Sequence, residues 1–291
     1  MTEDRALDDR REISFVVPCY NEAPEVLAKT LDVLTVTMDG VEGLDYEIIV
    51  VNDGSTKHAY GGTCAKAVRL VNHTRNMGYG ASLKTGIKLA RHNWIGIVDA
   101  DETYPIEEFP ALIREMGESD MVVGKRDRKG VQLMRRPAKK LLTWTGEFIA
   151  GERIPDLNSG MRLFKKEVFQ DYARVFPDGF SFTSTLTMVC MTTPFEVKFV
   201  DISYFKRKGQ SKIHPVKDTA RFFTLIFRLA LYFRPLRFFI PLSSLIVLLA
   251  VARGLRDMVV TDHFGGLTLV LFFMAFQVFF FGLLAEFINK K

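Results

Sequence analysis

The sequence predicts an α/β fold built on a mostly parallel sheet flanked by helices, with a membrane hairpin behind it. Three observations carry that expectation. Short apolar runs alternate with helix-period segments, the pattern of parallel strands joined by right-handed crossovers. Polar and acidic residues collect where those apolar runs end. Beyond about residue 220 the chain turns strongly hydrophobic, although the whole is an ordinary 48% apolar and 25% charged.

The 291 residues leave room for one large domain and an appendage. "ISFVVP" (13–18) reads as the first strand, and "PEVLAKTLDVLTVTM" (24–38) as a helix with Pro24 in its first turn. "YEIIVVND" (46–53) is continuously apolar until its last residues, as in a strand covered on both faces. "VRLVNH" (68–73) is a third strand and "GASLKTGIKLARH" (80–92) a second helix. "WIGIVDAD" (94–101) and "MVVGKR" (121–126) complete five strands. Ligands of such sheets bind at the carboxyl ends of strands. There the first strand runs into "PCYNE", the second into "NDGS" and the fourth into "DADETYP".

The C-terminal part reads differently. Residues 238–252 and 264–285 are two runs, of 15 and 22 residues, without a charge. A bilayer needs about 20 residues of helix, so spans are expected over about 236–255 and 264–286, with arginines at the edges of the first snorkelling outward. The spans form a hairpin over 238–288, joined by a short link. Residues 202–252 carry nine Lys or Arg and one acid, Asp218. That bias predicts that the N-terminal domain, residues 1–215, lies on the cytoplasmic side of an integral membrane protein. "TARFFTLIFRLALYFRPLRFF" (219–239) reads as an interfacial amphipathic helix, giving a juxtamembrane unit over about 216–237. The basic flank is read as a contact for anionic membrane lipids; nucleic acid is not an expected partner.

The N-terminus is too acidic for a signal peptide. Three cysteines without a CxxC fit a reducing compartment, and the five histidines lack zinc-ligand spacing.

In an extended strand residues i and i+2 share a face, so Asp99 and Asp101 are expected to project together. Two adjacent carboxylates repel, and a hard divalent ion, Mg2+ or Mn2+, resolves that best, with a metal diphosphate such as a nucleotide sugar as ligand. The bland alternative is a helix cap before Pro105. Asp53, Asn21 and Glu22 stand at adjacent strand ends and would join the same pocket. "NMGYGAS" only half fits a dinucleotide fingerprint, because Leu83 replaces the third glycine and the glycines follow the third strand. Residues 125–140 hold eight bases and one acid, either a solvated loop or a phosphate-binding segment.

"VVPCYNE", "VVNDGS", "NMGYGAS", "DADETYP", "DLNSGMRLF" and "KRKGQSKI" occur in the order found in family 2 glycosyltransferases of the GT-A, Rossmann-like fold. The chain resembles their polyprenyl-phosphate branch, dolichol-phosphate mannose synthases included, over about residues 12–215. The resemblance implies an inverting transferase that moves a UDP- or GDP-linked hexose to a polyprenyl or dolichyl phosphate. It implies a donor site of Pro18, Tyr20, Glu22, Asp53, Gly78, Asp99, Ala100, Asp101, Arg207 and Lys212. Asp101 and Asp99 would hold the metal; some relatives place a glutamine ligand at the position of Thr103, so Thr103 or Glu102 is the further candidate. Arg126, Arg135, Arg136 and Ser159 would take the acceptor phosphate, with Asp99, Asp101, Arg126, Asp156, Ser159 and Arg162 around the reaction centre. Relatives with a paired-span anchor also imply self-association. The rival readings are a family member with a non-phosphate glycan or lipid acceptor, a polysaccharide synthase (disfavoured by the lack of QxxRW and of further spans), and a non-catalytic nucleotide-sugar-binding scaffold.

Overall fold

The computed structural model describes residues 11–58, 60, 68–126, 144–179, 181–203, 227 and 231–289. Strands β1 (Arg11–Cys19), β2 (Leu44–Asn52), β3 (Val68–Asn72), β4 (Trp94–Ile97), β5 (Met121–Arg126), β6 (Arg162–Lys165) and β7 (Val197–Ile202) form one sheet, in the order β3-β2-β1-β4-β6-β5-β7. Neighbours run parallel except at β6, which is antiparallel to both β4 and β5.

Alternate residues of each strand feed opposite cores. Ile13, Phe15 and Val17 of β1 pack with α1 (Pro24–Asp39) and α3 (Phe109–Arg114), whereas Val16 packs with α2 (Tyr79–Leu89) and α6 (Phe182–Thr192). On α1 the buried residues Leu27, Thr30, Leu34 and Met38 recur at helical spacing, and Pro24 opens the first turn. Two short helices complete the domain: α4 over 144–150 and α5 (Lys166–Asp171).

The five expected strands all form. The strands β6 and β7 were not anticipated. The first has four residues and opens on an arginine; the second, at the sheet edge, interleaves Lys198 and Asp201 with its apolar residues. The fourth strand is shorter than expected, closing at Ile97 where its partner β6 begins at Arg162.

Helices α7 (Pro235–Thr261) and α8 (Gly266–Asn289) are long and apolar enough to cross a membrane. Their seam is made of small or polar residues at sevens: Ser243, Ala250 and Asp257 on α7, and Thr268, Ala275 and Gly282 on α8. That repeat gives left-handed packing, and the small side chains let the helices approach closely. Asp257 accepts hydrogen bonds from Thr268 Oγ1 (2.7 Å) and the Gly265 N–H (3.1 Å) and lies 3.1 Å from Arg253 Nε. Large apolar side chains such as Phe273 and Phe281 face outward. Most of the expected juxtamembrane helix falls outside the described residues; where it is described, the chain breaks at Arg234 and α7 starts at Pro235.

Candidate active site

The loops after β1 and β2 are stapled together. Asn21, in the left-handed region at φ 54°, accepts hydrogen bonds at Oδ1 from the Thr56 and Lys57 N–H groups, while its own N–H donates to Ser55 Oγ. The Tyr60 hydroxyl donates to the Glu22 carbonyl. An open cleft of about 500 Å³ lies at the ends of β2 and β3, lined by Asn52, Ser55, Thr56, Lys57 and Asn72 among others.

Asp53 is placed differently from the expectation. It is only 3% exposed, and its carboxylate accepts hydrogen bonds from the Met77 and Gly78 N–H groups, both at 2.9 Å. His73 Nδ1 lies 2.8 Å away, and His73 Nε2 reaches Thr85 Oγ1. Asp53 thus holds the turn into α2, and Gly78 is required there. Its φ is 107°, and a Cβ would strike the Asp178 carbonyl. The structure brings Asp53 and Gly78 together as a brace and the turn it holds.

The aspartates of "DADETYP" lie on a turn beyond β4, not on an extended strand, so the shared-face argument is corrected. Val98 still donates to the Val16 carbonyl; the chain then bends, with Glu102 at φ 54°. Asp99 accepts from the Tyr79 hydroxyl (2.8 Å). Burial and that carboxylate push the tyrosine well above its usual range, which keeps it a donor. Asp101 accepts at Oδ1 from the Thr103 N–H (3.2 Å) and hydroxyl (2.5 Å). The short helix after Pro105 has no side-chain cap, so the bland alternative for these aspartates is set aside. Glu102 turns away to pair with Lys29 of α1, and Thr103 is buried against Asp101. Ala100 is buried between them; Pro18 and Tyr20 sit half-buried at the end of β1.

The reversed strand β6 explains how the remaining residues join. Because β6 runs against its neighbours, the loop entering it meets the carboxyl ends of both β4 and β5. Arg162 is in register with Ile97 on one side and Val123 on the other. Gly160, two residues earlier, packs against the Asp99 carboxylate and the Tyr104 ring; a Cβ there would overlap both. Its N–H donates to the Tyr104 hydroxyl at 2.7 Å. Next to it Ser159 is fully buried, and its hydroxyl has no hydrogen-bond partner among the described residues. Arg126, ending β5, forks onto Asp156 through Nε and Nη2, both at 2.7 Å. Asp156 also accepts from the Asn158 N–H.

Arg162 departs from the expectation of a contact at the reaction centre. It is the largest fully buried side chain, and its guanidinium donates to the Ser159 and Thr183 carbonyls and to Thr187 Oγ1. Burial lowers its pKa from the usual arginine value. It fixes the loop that carries Ser159 and Gly160. Arg135, Arg136, Arg207 and Lys212 lie outside the described residues.

Tyr79, Tyr104 and Gly160 belong to this site and were missed. Tyr79 stood inside a quoted glycine motif and Tyr104 inside "DADETYP", so the signal was present but was assigned to the neighbours. Metal-capable side chains also meet at the other end of the sheet. Glu12, Asp45 and His92, from three separate elements, bring ligand atoms within 4.8 Å of one another at the amino ends of the strands. No spacing in the sequence announces that group.

Known proteins resemble this chain in sequence and in fold. The family model described as glycosyl transferase family 2 matches residues 14–173, and that of the GtrB C-terminal hairpin matches residues 234–290. The chain is 30% identical to dolichyl-phosphate beta-glucosyltransferase ALG5C of Trichomonas vaginalis, over 76% of this chain and 71% of that protein. It is 27% identical to undecaprenyl-phosphate 4-deoxy-4-formamido-L-arabinose transferase of Klebsiella pneumoniae, over 96% and 89% of the two chains. It is also 27% identical to dolichol-phosphate mannosyltransferase of Pyrococcus furiosus, over 69% of this chain and 59% of that one. Glucosyl-3-phosphoglycerate synthase of Mycobacterium tuberculosis, solved with Mn2+ and UDP, shares the fold at a TM-score of 0.56 and 17% identity, over 76% and 79% of the chains. The fold is thus GT-A-like, and with the family model spanning more than half of its length the chain belongs to glycosyl transferase family 2.

Proposed function

We propose that this glycosyltransferase moves a hexose from UDP or GDP to a polyprenyl or dolichyl monophosphate, inverting the anomeric carbon, at the cytoplasmic face of its membrane. One observation carries the proposal. The reversed strand β6 is entered by the loop that carries Asp156, Ser159 and Gly160, with Gly160 packed against the Asp99 carboxylate and Arg126 paired to Asp156. A site for an anionic diphosphate and a site for an anionic acceptor are then contiguous, on a chain that ends in an apolar hairpin. The acceptor class is further supported by the names of the three relatives above, each of which specifies a polyprenyl or dolichyl phosphate.

The chemistry follows from the groups present. A lipid phosphate oxygen is ionised at neutral pH and needs no general base to attack. It bonds to the anomeric carbon as the bond to the diphosphate breaks, the electron pair leaving with the nucleoside diphosphate. Arg126 is presented edge-on by Asp156, suiting it to a phosphate. The buried Ser159 hydroxyl lacks a hydrogen-bond partner among the described residues, and a phosphate oxygen would supply one. Tyr79 and Thr103 orient Asp99 and Asp101, whose hard oxygens suit Mg2+ or Mn2+ better than a softer ion. A divalent ion held there supplies charge neutralisation to the departing diphosphate. Asp53 holds the Gly78 turn beside it and Arg162 the Ser159 loop, both as positioning residues. The donor roles of Pro18, Tyr20, Glu22 and Ala100 are proposed with them.

The purified chain, reconstituted with a polyprenyl phosphate and a panel of radiolabelled nucleotide sugars, is expected to yield labelled lipid from one donor, dependent on Mn2+ or Mg2+. Absence of labelled lipid with every donor, in the presence of metal, would overturn the acceptor assignment.

A further inference from the structure

The turn that carries Asp99 and Asp101 contains a third carboxylate. Glu102 stands between Asp101 and Thr103 with its φ at 54°. That left-handed region is disfavoured for a residue with a Cβ, which crowds the following carbonyl, and glycine is its usual occupant. Asp99, Asp101 and Glu102 also repel one another as like charges. Both effects work against the turn, and one contact opposes both: Lys29 Nζ lies 2.5 Å from Glu102 Oε1.

Lys29 is held firmly enough to serve. It belongs to α1, whose inner residues Leu27, Thr30 and Leu34 are buried on the sheet. Ile106 and Phe109, just beyond the turn, enter the same core as Leu27 and Leu34. The side chain of Lys29 is 65% exposed and that of Glu102 28%, so the pair adds little to the stability of the whole fold. Its effect falls on one stretch of backbone. Asp101 Oδ1 accepts from both the Thr103 N–H and the Thr103 hydroxyl, and the residue between them sets how those two side chains face each other.

We infer that Lys29 is a positioning residue for the divalent ion. Through Glu102 it holds the left-handed turn that aligns Asp101 with Thr103. It also keeps the carboxylate of Glu102 out of the ion's ligand set, for which its hard oxygens would otherwise compete. The inference rests on the reading of the Asp99–Asp101 turn as the metal site. It assigns Glu102 to the turn's support rather than to coordination.

The test is Mn2+ binding to the full chain with UDP or GDP, read from the electron paramagnetic resonance signal of the free ion. Lys29→Met, which keeps the apolar stem and removes the charge, is expected to weaken binding about 10-fold, the lower end of the range for groups that orient metal ligands. Lys29→Arg should restore it. Glu102→Ala should weaken binding as Lys29→Met does, because it keeps a Cβ and loses the tie. Glu102→Gly should bind nearly as the wild type, because glycine takes the turn unaided, and adding Lys29→Met to it should change nothing further. Asp101→Ala tests the metal site itself and should lose the ion. Wild-type affinity in Lys29→Met, with binding lost in Asp101→Ala, overturns the inference and leaves the metal site standing. An equal loss from Lys29→Met in the Glu102→Gly chain overturns it too, since Lys29 would then act by another route. Full binding by Asp101→Ala removes the metal site and the inference together.

Discussion

The two ends of the same sheet are built on opposite terms. At the amino ends of the strands, Glu47 is spent entirely on the fold. Its carboxylate accepts from Ser14 Oγ (2.7 Å), from the Arg91 N–H (2.6 Å) and from Arg91 Nε (3.2 Å), while Ser14 Oγ accepts in turn from the His92 N–H. At the carboxyl ends the chain tolerates what a fold avoids. Asn21 and Glu102 occupy the left-handed region, and the Ser159 hydroxyl is buried without a partner among the described residues. Sparsely populated backbone and orphaned polar groups cost stability and gather where a ligand will use them. Orphaned atoms are not confined to one end, since His92 Nε2 is another. What separates the ends is where the carboxylates sit: Glu47 within a strand, and Asp99 and Asp101 on a turn held by Tyr79 and Thr103, with Asp99 against the loop that enters the reversed strand.

The contrast makes its largest prediction at Asp101. Asp101→Ala is expected to cut transfer on the order of 10³-fold, the scale of losing one preorganised electrostatic contact, with the melting temperature nearly unchanged. Near-normal turnover in the presence of metal would end the assignment of that turn to the diphosphate. Gly160→Ala comes next. Its methyl group would displace the Asp99 carboxylate or the Tyr104 ring, and displacements of about 1 Å near a reacting centre cost roughly 10²-fold. The variant should retain nucleotide binding while kcat falls; full activity would show that the two sides of the site move independently.

Glu47→Gln should do the reverse, lowering stability by about 1–3 kcal/mol with little change in kcat. Its pH dependence sharpens the point. Burial alone would raise the Glu47 carboxyl; the Arg91 N–H, the Ser14 hydroxyl and the Arg91 and His92 charges outweigh it and hold the group below the usual carboxylate range. The stabilisation is therefore present above an unfolded-state value of about 4.3 and is lost as the pH falls through the lower folded-state value. Denaturation of the wild type across that acid window should be steeper than that of the variant. Parallel curves would remove Glu47 from the account.

Much of the fold was legible because it is written in long periodic runs: five strands, α1 with its proline, and two charge-free spans. The misses are short or mixed elements. Strand β6 is four residues long beginning at a charged one, and neither periodicity nor composition marks it. Yet it is the strand that assembles the site. Sequence motifs point to residues that the fold brings near one another, but they do not give the postures of those side chains. Asp53 and Arg162 are charged side chains beside a ligand motif, and nothing in a linear motif tells a residue that touches the ligand from one that braces the loop. Their hydrogen bonds to Met77, Gly78, Ser159 and Thr183 make that distinction.

The seam between α7 and α8 has a consequence for biogenesis. Asp257 finds its partners in Gly265 and Thr268, across the turn and on the other helix. Asp257 lies in the last turns of α7, beside the link, and the Gly265 and Thr268 donors reach it only when α8 is in place. The tie therefore closes the hairpin, and α7 takes its final packing only after α8 has been made.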